Sequence, residues 1–394
     1  MGGSACHKTP RFRASGTLGG QPVTTTVDSE IAKYYLESYL RGERSHTDYD
    51  RAIESALSQT SADPADGEAL RQLAEQFSTD FATIHFVARV YNIPANRRVQ
   101  DAFRAFVEKL TTPAGIPAAS VPETYRSYVL AFVPGYAYKK DRTTGADFAR
   151  QRQILAKQGF RTLLIETDEL GPVEQNAAIV AREIVRLGQR HEKVVVVSAS
   201  KGGPEVALAL GERLPPESLA HVRAWISVGG LLRGSPYADQ ALQWPKRWFA
   251  EIVLALQGLR PGVISNLSTK ARKPAFARLS FPKHILTLQY VGVPLSGHIG
   301  ESTRGRYQAL RPLGPNDGLT LLGDELVPGG LVVTDLGLDH YYRDPAIELK
   351  TVALAYVVLE ELDQQSKQPE QKKTGIKGIP RSDQHTIAIA EIPL

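Results

Sequence analysis

Val194-Val195-Val196-Val197-Ser198-Ala199-Ser200-Lys201-Gly202-Gly203-Pro204 runs an apolar stretch into a small-residue turn and then into a helix start. Four consecutive valines suit a central parallel strand, because such a strand is buried on both faces and needs no polar alternation. Pro204 is tolerated in the first turn of a helix, where its missing N–H is not needed. A sharp strand-to-helix turn holds its middle residue in strained backbone geometry, so the residues two before and two after it must be small for the chain to pass itself. Ser198 and Gly202 meet that demand and place Ser200 at the carboxyl end of the sheet. The same turn aims the Lys201 backbone N–H at a position where negative charge on an oxygen would be stabilised. As a bare pattern S-x-S-x-G is common. Its position between a four-valine strand and a proline-started helix separates it from an ordinary glycine-rich turn.

Outward from this turn, short β-branched runs alternate with helix-length segments. Residues 128–133, 161–165, 193–197, 222–228, 284–291 and 331–334 read as strands. Residues 146–157, 173–187 and 204–214 read as helices. This alternation predicts an α/β fold, a mostly parallel central sheet with helices on both faces, over residues 122–362. Within it, residues 231–283 are too long for a plain strand connection and predict a cap-like insertion. There Pro245 starts a helix that would set Trp248, Phe249 and Ile252 on one apolar face over a substrate, with plain core packing of that face as the alternative. The basic run Lys270 to Lys273 reads as solvated surface. Residues 28–117 read as a helical region packing on the catalytic domain. Residues 1–27 read as a flexible leader, and residues 363–394 as a polar tail ending in an edge strand near His385 to Ile392.

The chain has 394 residues, and 47 basic against 42 acidic side chains leave a net charge of +5, too modest to argue for a nucleic-acid partner. No stretch approaches the roughly 18 apolar residues a membrane span needs. Cys6, the single cysteine, excludes an intramolecular disulfide and a cysteine-based metal site. Ser4-Ala5-Cys6 resembles the small-residue end of a bacterial lipoprotein cleavage site, which puts export or a lipid anchor at Cys6 level with a cytoplasmic location. The histidine spacing offers no H-E-x-x-H or H-x-x-x-H zinc motif. Nothing in the sequence fixes the oligomeric state.

A serine hydroxyl is a poor nucleophile unless an imidazole takes its proton. His340 follows the last strand, in the kind of loop where catalytic groups collect in parallel sheets, and His298 is its rival. The acid is expected between serine and histidine in sequence. Asp317, in the turn-forming Gly314-Pro315-Asn316-Asp317-Gly318, is the leading candidate, with Asp324, Asp335 and Asp339 as alternatives.

Residues 128–342, roughly half the chain, resemble the α/β-hydrolase superfamily, in particular its lipase and esterase branch. Ser198 to Gly202 is similar to its nucleophile elbow, Asn316 to Leu319 to the acid-bearing segment of bacterial lipases, and Asp339-His340 to its base loop. The resemblance implies a Ser200–Asp317–His340 triad acting on a small-molecule ester or acyl substrate without a cofactor. It also implies an oxyanion hole from the backbone N–H groups of Lys201 and of Tyr136 in Pro134-Gly135-Tyr136. Two departures stand out: Ser198 replaces the usual first glycine, and Lys201 sets a cation beside the nucleophile. Ser198 to Lys201 and Lys373 to Gly375 also spell the S-x-x-K and K-T-G of penicillin-binding enzymes. Here, however, the serine closes a strand and K-T-G lies in a polar tail. The competing reading is a binding protein that keeps the fold without the chemistry.

Overall fold

The computed structural model describes residues 11–111, 121–141, 145–191, 193–243 and 262–374. The first described elements, β1 (Phe12–Leu18) and β2 (Gln21–Val27), form an antiparallel hairpin where residues 12–27 of the expected 1–27 leader were read as flexible. The physical reason is visible in the residues. Ala14, Leu18, Val23 and Val27 are buried, and Gly19 and Gly20 both take positive φ, as a two-residue primed turn requires.

Helices α1 (Glu30–Glu37), α2 (Thr47–Ser58), α3 (Gly67–Gln76), α4 (Thr79–Asn92) and α5 (Pro94–Leu110) follow. Ser29, Asp66 and Ser78 cap α1, α3 and α4 with side-chain oxygens, and Pro94 opens α5.

Six parallel strands then build the sheet: β3 (Val129–Val133), β4 (Arg161–Leu164), β5 (Val194–Ala199), β6 (Val222–Val228), β7 (Leu286–Val293) and β8 (Leu331–Leu336). Their spatial order is β4-β3-β5-β6-β7-β8, with the four-valine strand inside. The strand alternation divides the core. Leu130, Phe132, Val195, Val197, Ile226, Tyr290 and Val333 pack with α5 and the helix Ile347–Thr374 on one face. Ala131, Val133, Val194, Val196 and Trp225 pack with the helix Val173–Gly188 on the other. On that second face the hairpin and α1–α4 cover Val291, Val293 and Val332 at the β7–β8 end.

The helical region therefore wraps the edge of the sheet. Among the described residues no strand pairs with the outer edge of β8, and α5 supplies what a strand would. Val332 N–H donates to Asn96 Oδ1 at 3.0 Å, and Thr334 N–H and Oγ1–H donate to Gln100 Oε1 at 2.8 and 3.2 Å. Asn96 and Gln100 are one helical turn apart on α5, so one face of the helix satisfies two ladder donors of a buried edge. A second tie is polar. Asp80 accepts the Ser296 N–H at 2.9 Å and the Asp28 N–H at 2.8 Å, while Asp28 pairs with Arg311 at 2.5 Å. Burial and the neighbouring Asp28 carboxylate push Asp80 up to about 7.

The expected helix at residues 204–214 is a helix Gly202–Leu208 that widens into a π turn at Ala209–Arg213. The basic run does not form a solvated surface throughout. Arg272 is buried and pairs with Glu174, and Lys273 lies 3.2 Å from Asp324. The polar tail is helical for its first part, since Ile347–Thr374 continues past residue 362 on good helix formers (Gln, Lys, Glu). The predicted cap residues Trp248, Phe249 and Ile252, the terminal edge strand and Cys6 lie outside the described residues. Among the described residues, no helix is long and apolar enough to cross a membrane.

Candidate active site

At the end of β5 the chain reverses through Ser200, whose φ is +49°, a left-handed value that costs a non-glycine residue energy. A side chain at Gly202 would put its Cβ 2.7 Å from the Pro134 carbonyl oxygen and 2.8 Å from that of Val133, so only glycine fits two residues after the serine. Two residues before it, Ser198 is buried and its Oγ accepts the Trp225 Nε1–H at 2.9 Å. Trp225 thus fills the space on the β6 side, and the serine in place of the first glycine has a hydrogen-bonding role.

Ser200 Oγ lies 3.0 Å from His340 Nε2, and His340 Nδ1 lies 2.6 Å from Asp317 Oδ2. In the tautomer that satisfies both contacts, Nδ1–H donates to Asp317 and Nε2 accepts the Ser200 hydroxyl proton. Asp317 is 1% exposed, and its other oxygen accepts the Leu319 and Thr320 N–H groups, each at 2.8 Å. A buried carboxylate held by three donors stays fixed in place opposite the imidazole. The Asn-Asp-Gly turn builds this arrangement. Asn316 Oδ1 accepts the Gly318 N–H at 3.0 Å, Gly318 takes φ +92°, and the Asp317 carbonyl accepts the His340 N–H at 3.0 Å.

The rival residues are placed elsewhere. His298 packs beside Gly337, Asp324 pairs with Lys273, Asp335 pairs with Lys350, and Asp339 accepts the Tyr341 N–H.

Lys201 does not set a cation at the open side of Ser200. Its side chain is 2% exposed and runs down the helix to Glu205, 2.5 Å away and wholly buried. Asn176 joins them, donating to Glu205 Oε1 at 2.7 Å and to the Asp168 carbonyl at 2.8 Å, while its own Oδ1 accepts the Asp168 N–H at 3.1 Å. Burial pushes Glu205 up to about 7 against the opposing pull of Lys201.

The chain neighbours of Asp168 hold the segment containing Tyr136. The Ala137 N–H reaches the Glu169 carbonyl at 3.3 Å, and Tyr138 OH reaches the Thr167 carbonyl at 3.0 Å. The elbow and the Tyr136 loop are therefore tied through one buried polar cluster.

A cavity of about 1140 Å³ opens at Ser200 and His340. Tyr136 lines it at the serine, and its inner part runs along the sheet between Leu130, Phe132, Val197 and Ile226 and the helices bearing Leu155 and Leu354. Among the described residues, no cluster of side chains is arranged to hold a metal ion.

Sequence reasoning missed the Lys201–Glu205–Asn176 cluster, although the i, i+4 spacing of Lys201 and Glu205 on a predicted helix was a usable signal. It also missed Tyr342, whose hydroxyl donates to the Tyr290 carbonyl and accepts the Gly292 N–H, both at 2.8 Å. These bonds fasten the loop bearing His340 to β7. No local pattern announces that residue.

No model of a known family and no curated protein sequence matches the chain. Solved structures do. A metagenomic carboxyl esterase superposes over 64% of this chain and 80% of its own, with a TM-score of 0.50 and 21% identity. A Bacillus licheniformis lipase in its propeptide form superposes over 69% of this chain and 54% of its own, with a TM-score of 0.50 and 19% identity. At such identities the likeness is one of fold. With the sheet order and the position of the elbow, it gives the chain the α/β-hydrolase fold.

Proposed function

We propose that this chain is a serine hydrolase that cleaves a carboxylic ester, with Ser200 as nucleophile, His340 as general base and acid, and Asp317 as the group that orients the imidazole. The observation that carries the reading is the unbroken line from Asp317 through His340 to Ser200, at 2.6 and 3.0 Å, ending in a cavity. The fold shared with an esterase and a lipase supports it.

In the proposed reaction Ser200 Oγ attacks the ester carbonyl while its proton passes to His340 Nε2, and Asp317 stabilises the resulting imidazolium. The Lys201 and Tyr136 backbone N–H groups receive the developing oxyanion, a role worth about a hundred- to a thousandfold in rate per donor. His340 then protonates the leaving alcohol, and water attacks the acyl-enzyme by the reverse path. The apolar inner cavity holds the acyl portion.

The test is labelling by a fluorophosphonate with the modified peptide mapped, beside ester hydrolysis by the native chain, Ser200→Ala and His340→Ala. The expected outcome is a label on Ser200 and a loss of about 10⁴-fold or more in kcat in each folded variant. A folded native chain that takes no label and turns over no ester would sink the reading.

A further inference from the structure

Two guanidiniums stand at the Ser200 cavity with no carboxylate partner among the described residues. Arg306, on the helix Glu301–Leu310, donates to Tyr341 OH at 2.6 Å, and its Cζ lies 5.8 Å from the ring centres of both Tyr341 and Tyr237. Arg343 lies 5.0 Å from the Tyr341 ring centre and donates to Ser302 Oγ at 3.2 Å. Both line the cavity.

The other charges there are committed. Arg150 pairs with Glu348, and Asp344 pairs with Lys350 and accepts the Ala346 N–H. Asp147 accepts the Ala149 N–H, and Asp141 is engaged as well. A half-buried guanidinium held between two tyrosine rings has a fixed orientation and has lost part of its water, and an anion is what its remaining donors fit.

The location assigns the anion to one part of the substrate. In serine hydrolysis the leaving alcohol lies against the histidine that protonates it. Tyr341 follows His340 directly, with ring centres 6.3 Å apart, and both arginines flank Tyr341. The inner cavity, bounded by Leu130, Phe132, Leu155, Val197, Ile226 and Leu354, has an apolar wall that suits the acyl part and would penalise a charge.

We propose that the substrates are esters whose alcohol part carries a carboxylate or phosphate, clasped by Arg306 and Arg343. The inference rests on the esterase reading above. The bond from Ser200 Oγ to the acyl carbon forms as the bond from that carbon to the alcohol oxygen breaks. The Oγ proton passes through His340 to that oxygen, and water then releases the carboxylic acid, so no further reactant is needed.

The experiment compares kcat/KM for 4-(hexanoyloxy)benzoate, 4-(hexanoyloxy)phenyl phosphate and the neutral 4-(hexanoyloxy)benzamide in the native chain, Arg343→Gln and Arg306→Gln/Arg343→Gln. Comparing each charged-to-neutral ratio between variant and native cancels the intrinsic reactivity of the leaving groups.

The expected result is a fall of about tenfold or more in that ratio for at least one charged ester in the double variant. Arg343→Gln, whose side chain is exposed, should give a smaller fall in the same direction. Neutral-ester turnover and Ser200 labelling should stay within about twofold. The charged ester with the larger fall identifies the anion. An unchanged ratio in both variants overturns the proposal while leaving the esterase reading intact, whereas no turnover of any ester and no label overturns the reading itself. Faster hydrolysis of phenyl hemisuccinate than of phenyl butyrate, lost in the double variant, would move the charge to the acyl side and overturn the assignment made here.

Discussion

The outer edge of β8 and the carboxyl end of β5 belong to the same sheet and are finished in opposite ways. At β8 the chain spends a helix on sealing the backbone, with Asn96 and Gln100 taking the outward N–H groups of Val332 and Thr334. At β5 it accepts a left-handed serine and leaves a cavity of about 1140 Å³ beside it. Buried backbone donors are costly to leave unpaired, so an edge that only holds the fold together is closed. A strained turn over an open space persists only where the surroundings over-determine it, as Gly202 and the buried Lys201–Glu205–Asn176 cluster do here.

Substitutions can break this contrast. Asp317→Asn keeps an oxygen for the Leu319 and Thr320 N–H groups but weakens the hold on the imidazole tautomer. It should lower kcat on a simple ester by about 10⁴-fold with a cooperative melt retained. A loss under tenfold would show that the open end of the sheet does not depend on this carboxylate. Gln100→Leu should act in the reverse sense. It leaves the Thr334 N–H and hydroxyl buried without an acceptor and should cost about 1–3 kcal/mol in urea unfolding, with kcat/KM unchanged where the variant is folded. Loss of activity at full stability would mean that the sealed edge and the open end are coupled.

The smallest effect concerns pH. Burial beside Asp28 raises Asp80 to about 7, so the folded chain binds that proton more tightly than the unfolded chain does. The stability linked to this group is full below about pH 4 and is lost as pH rises through 7. Asp80→Asn should therefore flatten the decline in Tm between about pH 5 and 8, and an unchanged slope would remove Asp80 from the account of pH dependence.

Much of the sheet-bearing half was legible because its signals are local. A run of four valines, a small-residue turn and a proline-started helix are adjacent in sequence, and the residues of the Asn-Asp-Gly turn bond mainly to one another. The hairpin of β1 and β2 was missed although Gly19-Gly20 lies between alternating residues. The polar threonines and arginines of that stretch hid a pattern whose buried positions are few.

The sequence by itself determined the parallel α/β sheet, the elbow at Ser200 and a short set of histidine and aspartate candidates, since periodicity, turn chemistry and residue size act over a few neighbours. Only the tertiary structure decided that His340 and not His298 meets Ser200, 140 positions away. The same holds for the inward turn of Lys201 to Glu205, for α5 as the seal on β8, and for Arg306 and Arg343 beside the same tyrosine. Those choices depend on which distant surfaces pack together. A side chain finds its partner across such a surface only after the core has fixed how the elements lie.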